Sequence, residues 1–159
     1  TSIMKYQWLQ PGDEHAFEDF CLRFYRHLLK RDSFVKYGKR GESQDGIDII
    51  DQLALSPLIA IQCKHHEPAR RFLPHAIRDE VTKAENSLHP IKRYIIATNA
   101  SRRRSVLDEV MRRNQRPTTL RKFDVEIFFW EDICGHLNEF GRLIAEFIAN
   151  RFINAVRVA

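Results

Sequence analysis

Two neighbouring β-type runs, GIDIID at 46–51 and LIAIQCK at 58–64, carry polar side chains where a buried strand is otherwise apolar. The first alternates, so Ile47 and Ile49 are expected on one face and Asp48 and Ile50 on the other. The second is apolar from Leu58 and turns polar at its far end, where Gln62 and Lys64 stand two apart and share a face. Thirteen residues separate Asp48 from Gln62, enough for a hairpin that sets the two runs side by side. With a short run at Ser33–Tyr37, they predict a three-stranded antiparallel meander. The polar segment from Gly38 to Gly46 and the pair Ser56-Pro57 supply the turns.

Helical stripes surround this meander. Phe17, Phe20, Cys21, Phe24 and Leu28 recur at helical spacing and predict a helix from Glu14 to Lys30, capped by Asp13 after Pro11-Gly12. Ile77, Val81 and Ala84 predict a second helix over Pro74–Ser87, and Pro90 breaks the chain after it. RYIIAT at 93–98 reads as a buried strand ending at Asn99. Ser105–Asn114 reads as a helix, Phe123–Trp130 as a strand, and a last helix starts near Glu131-Asp132 and runs to about Phe152. The order α-β-β-β-α-β-α-β-α implies an α/β fold, a mixed central sheet flanked by helices.

The length of 159 residues suits one domain, and 43% hydrophobic residues can build a core. No apolar run reaches the ~20 residues of a membrane span, and the first ten residues do not read as a signal peptide. Cys21, Cys63 and Cys134 are odd in number and widely spaced, which argues against a disulfide framework and suits a cytoplasmic protein. There is no CxxC pair to suggest structural zinc. The net charge is +5, and 102–122 holds eight basic residues against Asp108 and Glu109, an excess that suits a phosphate backbone.

A polar trio converging at strand ends is costly unless it is solvated or bound to something. Phosphodiester hydrolysis accounts for it. That chemistry uses a hard cation to polarise a phosphate oxygen and to lower the pKa of a water. Mg²⁺, with Mn²⁺ as a substitute, accepts a carboxylate (Asp48), an amide oxygen (Gln62) and a backbone carbonyl (Cys63). Lys64 then stands beside the attacking water, orients it and stabilises negative charge on the phosphorane-like transition state. A plain ion pair between Asp48 and Lys64 is the structural alternative.

The segment GxSQDGIDIID…IQCK, preceded by FExF at Phe17–Phe20, resembles the Mrr-like branch of the PD-(D/E)xK restriction-endonuclease-like superfamily. YIIATNA at 94–100 and VEIFFWEDI at 125–133 extend the resemblance over nearly the whole chain. It implies an αβββαβ core, here with extra αβα elements. It also implies a catalytic set of Glu18, Asp48, Gln62 and Lys64, with Gln62 replacing the usual acid. Asp48 becomes the main metal ligand and Gln62 a neutral second one. Lys64 assists the water, and Glu18 binds a second metal or holds Lys64 in place. Asp45 and Gln44 are peripheral turn residues, and His65, His66 and Glu67 a polar strand exit.

The expected partner is double-stranded DNA, gripped through Lys39, Arg40, Arg70, Arg71, Arg102, Arg103, Arg104, Arg112 and Arg113, with Arg116 a further candidate. The resemblance also implies that residues 1–159 form a single nuclease domain of a larger, self-associating protein in a bacterial restriction or antiphage defence system. A catalytically silent DNA-binding or assembly module of the same fold, and a junction-resolving nuclease, are the competing expectations.

Overall fold

In the computed structural model, residues 8–39, 42, 45–68 and 70–141 are described. The expectations for Arg40, for Gln44 and for the last helix beyond residue 141 lie outside them. The elements are α1 (Glu14–Leu28), β1 (Phe34–Lys36), β2 (Ile49–Asp51), β3 (Ile59–Lys64), α2 (Pro74–Glu85), β4 (Arg93–Thr98), α3 (Arg104–Asn114) and β5 (Asp124–Phe128). A fourth helix, α4, is described over 130–141. The element order agrees with the sequence expectation. Asp13 caps α1 as expected, its carboxylate accepting from the Ala16 N–H at 2.8 Å.

The five strands form one mixed sheet in the order β1-β2-β3-β4-β5. β1, β2 and β3 are the antiparallel meander, while β4 and β5 run parallel to β3. Parallel neighbours need long crossovers, and α2 and α3 supply them. Both pack on one sheet face, where Ile77, Val81, Val106 and Val110 meet Ile47, Ala60, Tyr94 and Ile96. On the other face α1 and α4 contribute Phe17, Cys21, Phe24 and Ile133 against Ile49, Ile61, Cys63 and Ile95. Helices cover both faces, so the inner strands are apolar on both sides, as the runs LIAI and YIIA require.

The expected alternation of residues 46–51 fails at one point. Ile47 shares its cluster with Ile50, and Ile49 lies on the opposite face. The Asp48 N–H bonds the Ile61 carbonyl at 2.9 Å, yet Ile49 is the residue in register with Ile61. Two residues therefore oppose one, the geometry of a β-bulge, and the period slips by one position. The bulge follows a turn in which Asp45 and Gly46 have φ of 50° and 71°. A side chain at Gly46 would meet Lys83 Cβ at 2.9 Å and the Glu80 carbonyl at 3.1 Å, so only glycine lets this turn lie against α2.

Candidate active site

The bulge places Asp48 at the point where β2 stops pairing and β3 continues with β4 as its neighbour on the other side. Its Oδ2 accepts the Cys63 N–H at 2.7 Å, in the place a backbone partner would occupy in a longer strand. Ile61 and Cys63 thus turn their backbone groups toward β2. In an extended strand the carbonyl of a residue points the same way as its N–H, which sets the Cys63 carbonyl on the Asp48 side. Asp48 is 7% exposed. Burial, together with the nearby carboxylates of Glu18 and Glu80, raises its pKa to about 7, against the pull of the Cys63 N–H. No ion pair joins Asp48 to Lys64. Lys64 pairs with Glu80 instead, which excludes the plain ion pair as the reason for this trio.

Gln62 and Lys64 share a face as expected, and it is the face covered by α2. Gln62 Nε2 donates to Glu80 Oε2 at 3.0 Å and Lys64 Nζ donates to Glu80 Oε1 at 2.7 Å. One buried carboxylate, 3% exposed, therefore holds both side chains. A carboxylate accepts but does not donate, so Glu80 fixes the orientation of the Gln62 amide. Its Oε1 is directed away from that contact, buried and without a hydrogen-bond partner among the described residues. A buried, unsatisfied amide oxygen is unfavourable unless something binds it.

Glu80 did not emerge from the strand motif. Its signal lies in the helix: it stands between Ile77 and Val81 on the stripe 77-81-84 that α2 buries, an acid on an apolar face. Glu18 holds the corresponding place across the sheet. It lies in hydrogen-bonding reach of Asp48, with His15 Nδ1 3.9 Å from its carboxylate. The expectation that Glu18 holds Lys64 is corrected: Glu80 does so, because β3 turns Lys64 toward α2 and away from α1.

The donors fit a hard divalent cation. Gln62 Oε1 has no partner among the described residues, the Asp48 carboxylate is bonded to the N–H of the next residue, Cys63, and Glu18 adds a carboxylate beside Asp48. Among the described residues, no three His, Cys, Asp or Glu side chains already form a metal cage. The set instead mixes carboxylate, amide and backbone oxygens, which suits an ion that retains several waters.

The remaining expected residues divide by position. Arg70 and Arg71 line a cavity of about 770 Å³ that opens from Lys64 and His65. Arg103 lines an adjoining one of about 460 Å³. Arg102 is paired with Asp132, and Arg104 is the exposed first residue of α3. Arg112 and Arg113 lie in the last turn of α3, at the opposite end of that helix, paired with Glu109 and Glu85 in the cleft against α2. Lys39 is exposed, its N–H bonded to Glu42. Asp45 is an exposed turn residue. His66 is bound at the strand exit, its N–H to Asn99 Oδ1 at 2.5 Å. Cys21 and Cys63 are free and buried, and Cys134 is free and half-buried. No helix among the described residues is long and apolar enough to cross a membrane.

No protein-family model, curated protein or solved structure matches this chain.

Proposed function

We propose that this chain is a metal-dependent DNA endonuclease domain with a restriction-endonuclease-like core of the Mrr-like branch. The observation that carries the reading is the single buried carboxylate of Glu80 holding Gln62 and Lys64, with Asp48 bonded to the residue between them. The element order α1-β1-β2-β3-α2-β4 supports the reading, since the resemblance implies an αβββαβ core.

Asp48, Gln62 Oε1 and the Cys63 carbonyl would hold Mg²⁺ or Mn²⁺, with Glu18 completing the charge. The ion supplies Lewis acidity toward a phosphate oxygen and makes a water more acidic. The chain's own residues do the rest. Glu80 fixes Lys64 Nζ at the edge of the cavity, where the ammonium orients the attacking water and neutralises charge on the phosphoryl oxygens. Glu80 also restores the anionic charge that Gln62 lacks, one helix removed from the strand.

The test is cleavage of supercoiled plasmid DNA with Mg²⁺ or Mn²⁺, comparing wild type with Asp48→Ala and Lys64→Ala. Loss of nicking and linearisation in both variants is the expected result. Cleavage that persists in both overturns the site, and no cleavage by the assembled wild-type protein favours a silent DNA-binding module.

A further inference from the structure

Among the described residues, the arginines differ in whether a carboxylate neutralises them. Arg102, Arg112, Arg113 and Arg121 each sit on a carboxylate, as do Arg78 and Arg93. Arg70, Arg71 and Arg103 make no side-chain ion pair among the described residues. All three line the same cavity of about 460 Å³, and no carboxylate lines it with them. Like charges gathered around one space repel, and an anion in that space relieves the repulsion.

The cavity is also held in shape before anything binds. Asn99, 4% exposed at the end of β4, accepts the His66 N–H and donates to the His66 carbonyl at 2.9 Å. Its Nδ2 donates to Gln10 Oε1 at 3.1 Å, and Gln10 Nε2 donates back to the Asn99 carbonyl at 3.1 Å. The His66 ring contacts the Arg70 carbonyl. These bonds tie the chain leaving β3 to the end of β4, which fixes the backbone that carries Arg70 and Arg71. A binding site ordered in advance loses less entropy when it is filled.

The same cavity shares Arg70, Arg71, His66 and Asn99 with the larger one that reaches Lys64. We propose that Arg70, Arg71 and Arg103 form a phosphate subsite for the phosphodiester flanking the one that reaches Lys64, on the side where the DNA strand passes His65 and His66 toward Arg70 and Arg71. The subsite rests on the nuclease reading for its orientation, and its own chemistry is the recognition of a phosphate oxyanion by guanidinium groups. Such a contact places the strand and reads no sequence.

The experiment measures binding of a fluorescent 20-base-pair duplex in Ca²⁺ over a range of salt. It compares wild type, Arg70→Ala/Arg71→Ala/Arg103→Ala, and Arg78→Ala/Arg112→Ala/Arg116→Ala. The last removes equal charge from the cleft between α2 and α3. The first variant is expected to weaken binding at least tenfold and to flatten the salt slope by about 2–3, and the second to change the affinity less than about twofold. Equal losses in both overturn the subsite and leave only general electrostatic attraction. The exposed single change Arg71→Glu, expected to weaken binding several-fold, serves if the triple variant does not fold.

Inorganic phosphate is the competing ligand in a second arm. If the triple variant loses phosphate binding but keeps duplex affinity, the cavity is a small-anion site and the strand assignment falls. Cleavage separates the two readings. Wild-type cleavage with duplex binding indifferent to the triple variant overturns the subsite alone. Subsite-dependent binding without any cleavage in Mg²⁺ or Mn²⁺ overturns the nuclease reading and supports the subsite.

Discussion

Tyr94 Oη donates a 2.6 Å hydrogen bond to the carbonyl oxygen of Gly46, and the same hydroxyl lies 3.4 Å from the carbonyl of Glu80. Tyr94 comes from β4, is fully buried, and its phenol is pushed far above its ordinary pKa by that burial, so it remains a donor. It therefore ties the turn that carries Asp48 to the helix that carries Glu80. Tyr94→Phe leaves the Gly46 carbonyl buried without this partner, at a cost of about 1–3 kcal/mol. If Tyr94 positions the two carboxylates, the Mg²⁺ concentration for half-maximal cleavage rises several-fold while the rate at saturating Mg²⁺ changes little. A variant that loses thermal stability with an unchanged Mg²⁺ dependence shows Tyr94 to be a packing residue only.

Glu80 contacts two site residues at once, so its removal should cost more than its distance from the reacting phosphate implies. Glu80→Ala frees the Gln62 amide to rotate and leaves Lys64 without its anion. Losing such a supporting group typically lowers metal affinity or activity about 10–100-fold. Cleavage kinetics over a Mg²⁺ titration measure it, with circular dichroism to establish that the fold survives. Wild-type cleavage by Glu80→Ala would show that Gln62 and Lys64 keep their geometry unaided.

The strand part of this site was legible in the sequence because its physics is local. A period of 2 puts Gln62 and Lys64 on one face whatever surrounds them, and a hairpin of that length brings Asp48 alongside. Two features needed the third dimension. The bulge at Asp48 depends on a turn with positive φ at Asp45 and Gly46 and on the close approach of α2, neither of which alternation encodes. The partner of Lys64 depends on which face α2 covers. That face was marked by Ile77, Val81 and Ala84, and Glu80 lay among them as an acid at odds with its neighbours. Counting charge along 102–122 sets Glu109 against the arginines of α3, but it has no place for Glu85, which reaches Arg113 from α2.

The Gly46 turn offers a test of that close approach. Gly46→Ala places Cβ 2.9 Å from Lys83 Cβ and 3.1 Å from the Glu80 carbonyl, at a φ of 71°. The backbone conformation alone costs a non-glycine residue about 1–2 kcal/mol. Contact with α2 adds to it, so the midpoint of urea unfolding should fall by more than that cost implies. Relaxing the contact moves Asp48 away from α2, and cleavage should fall even at temperatures where the variant is folded. A variant as stable as wild type would mean that α2 does not press on this turn.

Asp48 links stability, pH and cation binding in one direction. Its carboxyl has an ordinary pKa of 3.8, and burial raises it to about 7 in the folded chain. Between about pH 4 and pH 7 the folded state therefore keeps a proton that the unfolded state has released. Stability rises with pH only where the unfolded state binds more protons, so here it falls with rising pH and levels off above about 7. The slope is at most about 1.4 kcal/mol per pH unit. Asp48→Asn has no such proton, so the difference in Tm between wild type and this variant should shift against wild type from pH 4.5 to pH 7.5, without metal. In the proposed function a divalent cation would take the place of that proton. Added Mn²⁺ should raise the wild-type Tm more at pH 8 than at pH 6, and should raise the Asp48→Asn Tm little at either pH. If the metal-free difference in Tm is flat across this range, Asp48 titrates in the ordinary carboxylate range and Glu18 and Glu80 do not press on it. If Mn²⁺ stabilises Asp48→Asn as much as wild type, the cation binds elsewhere.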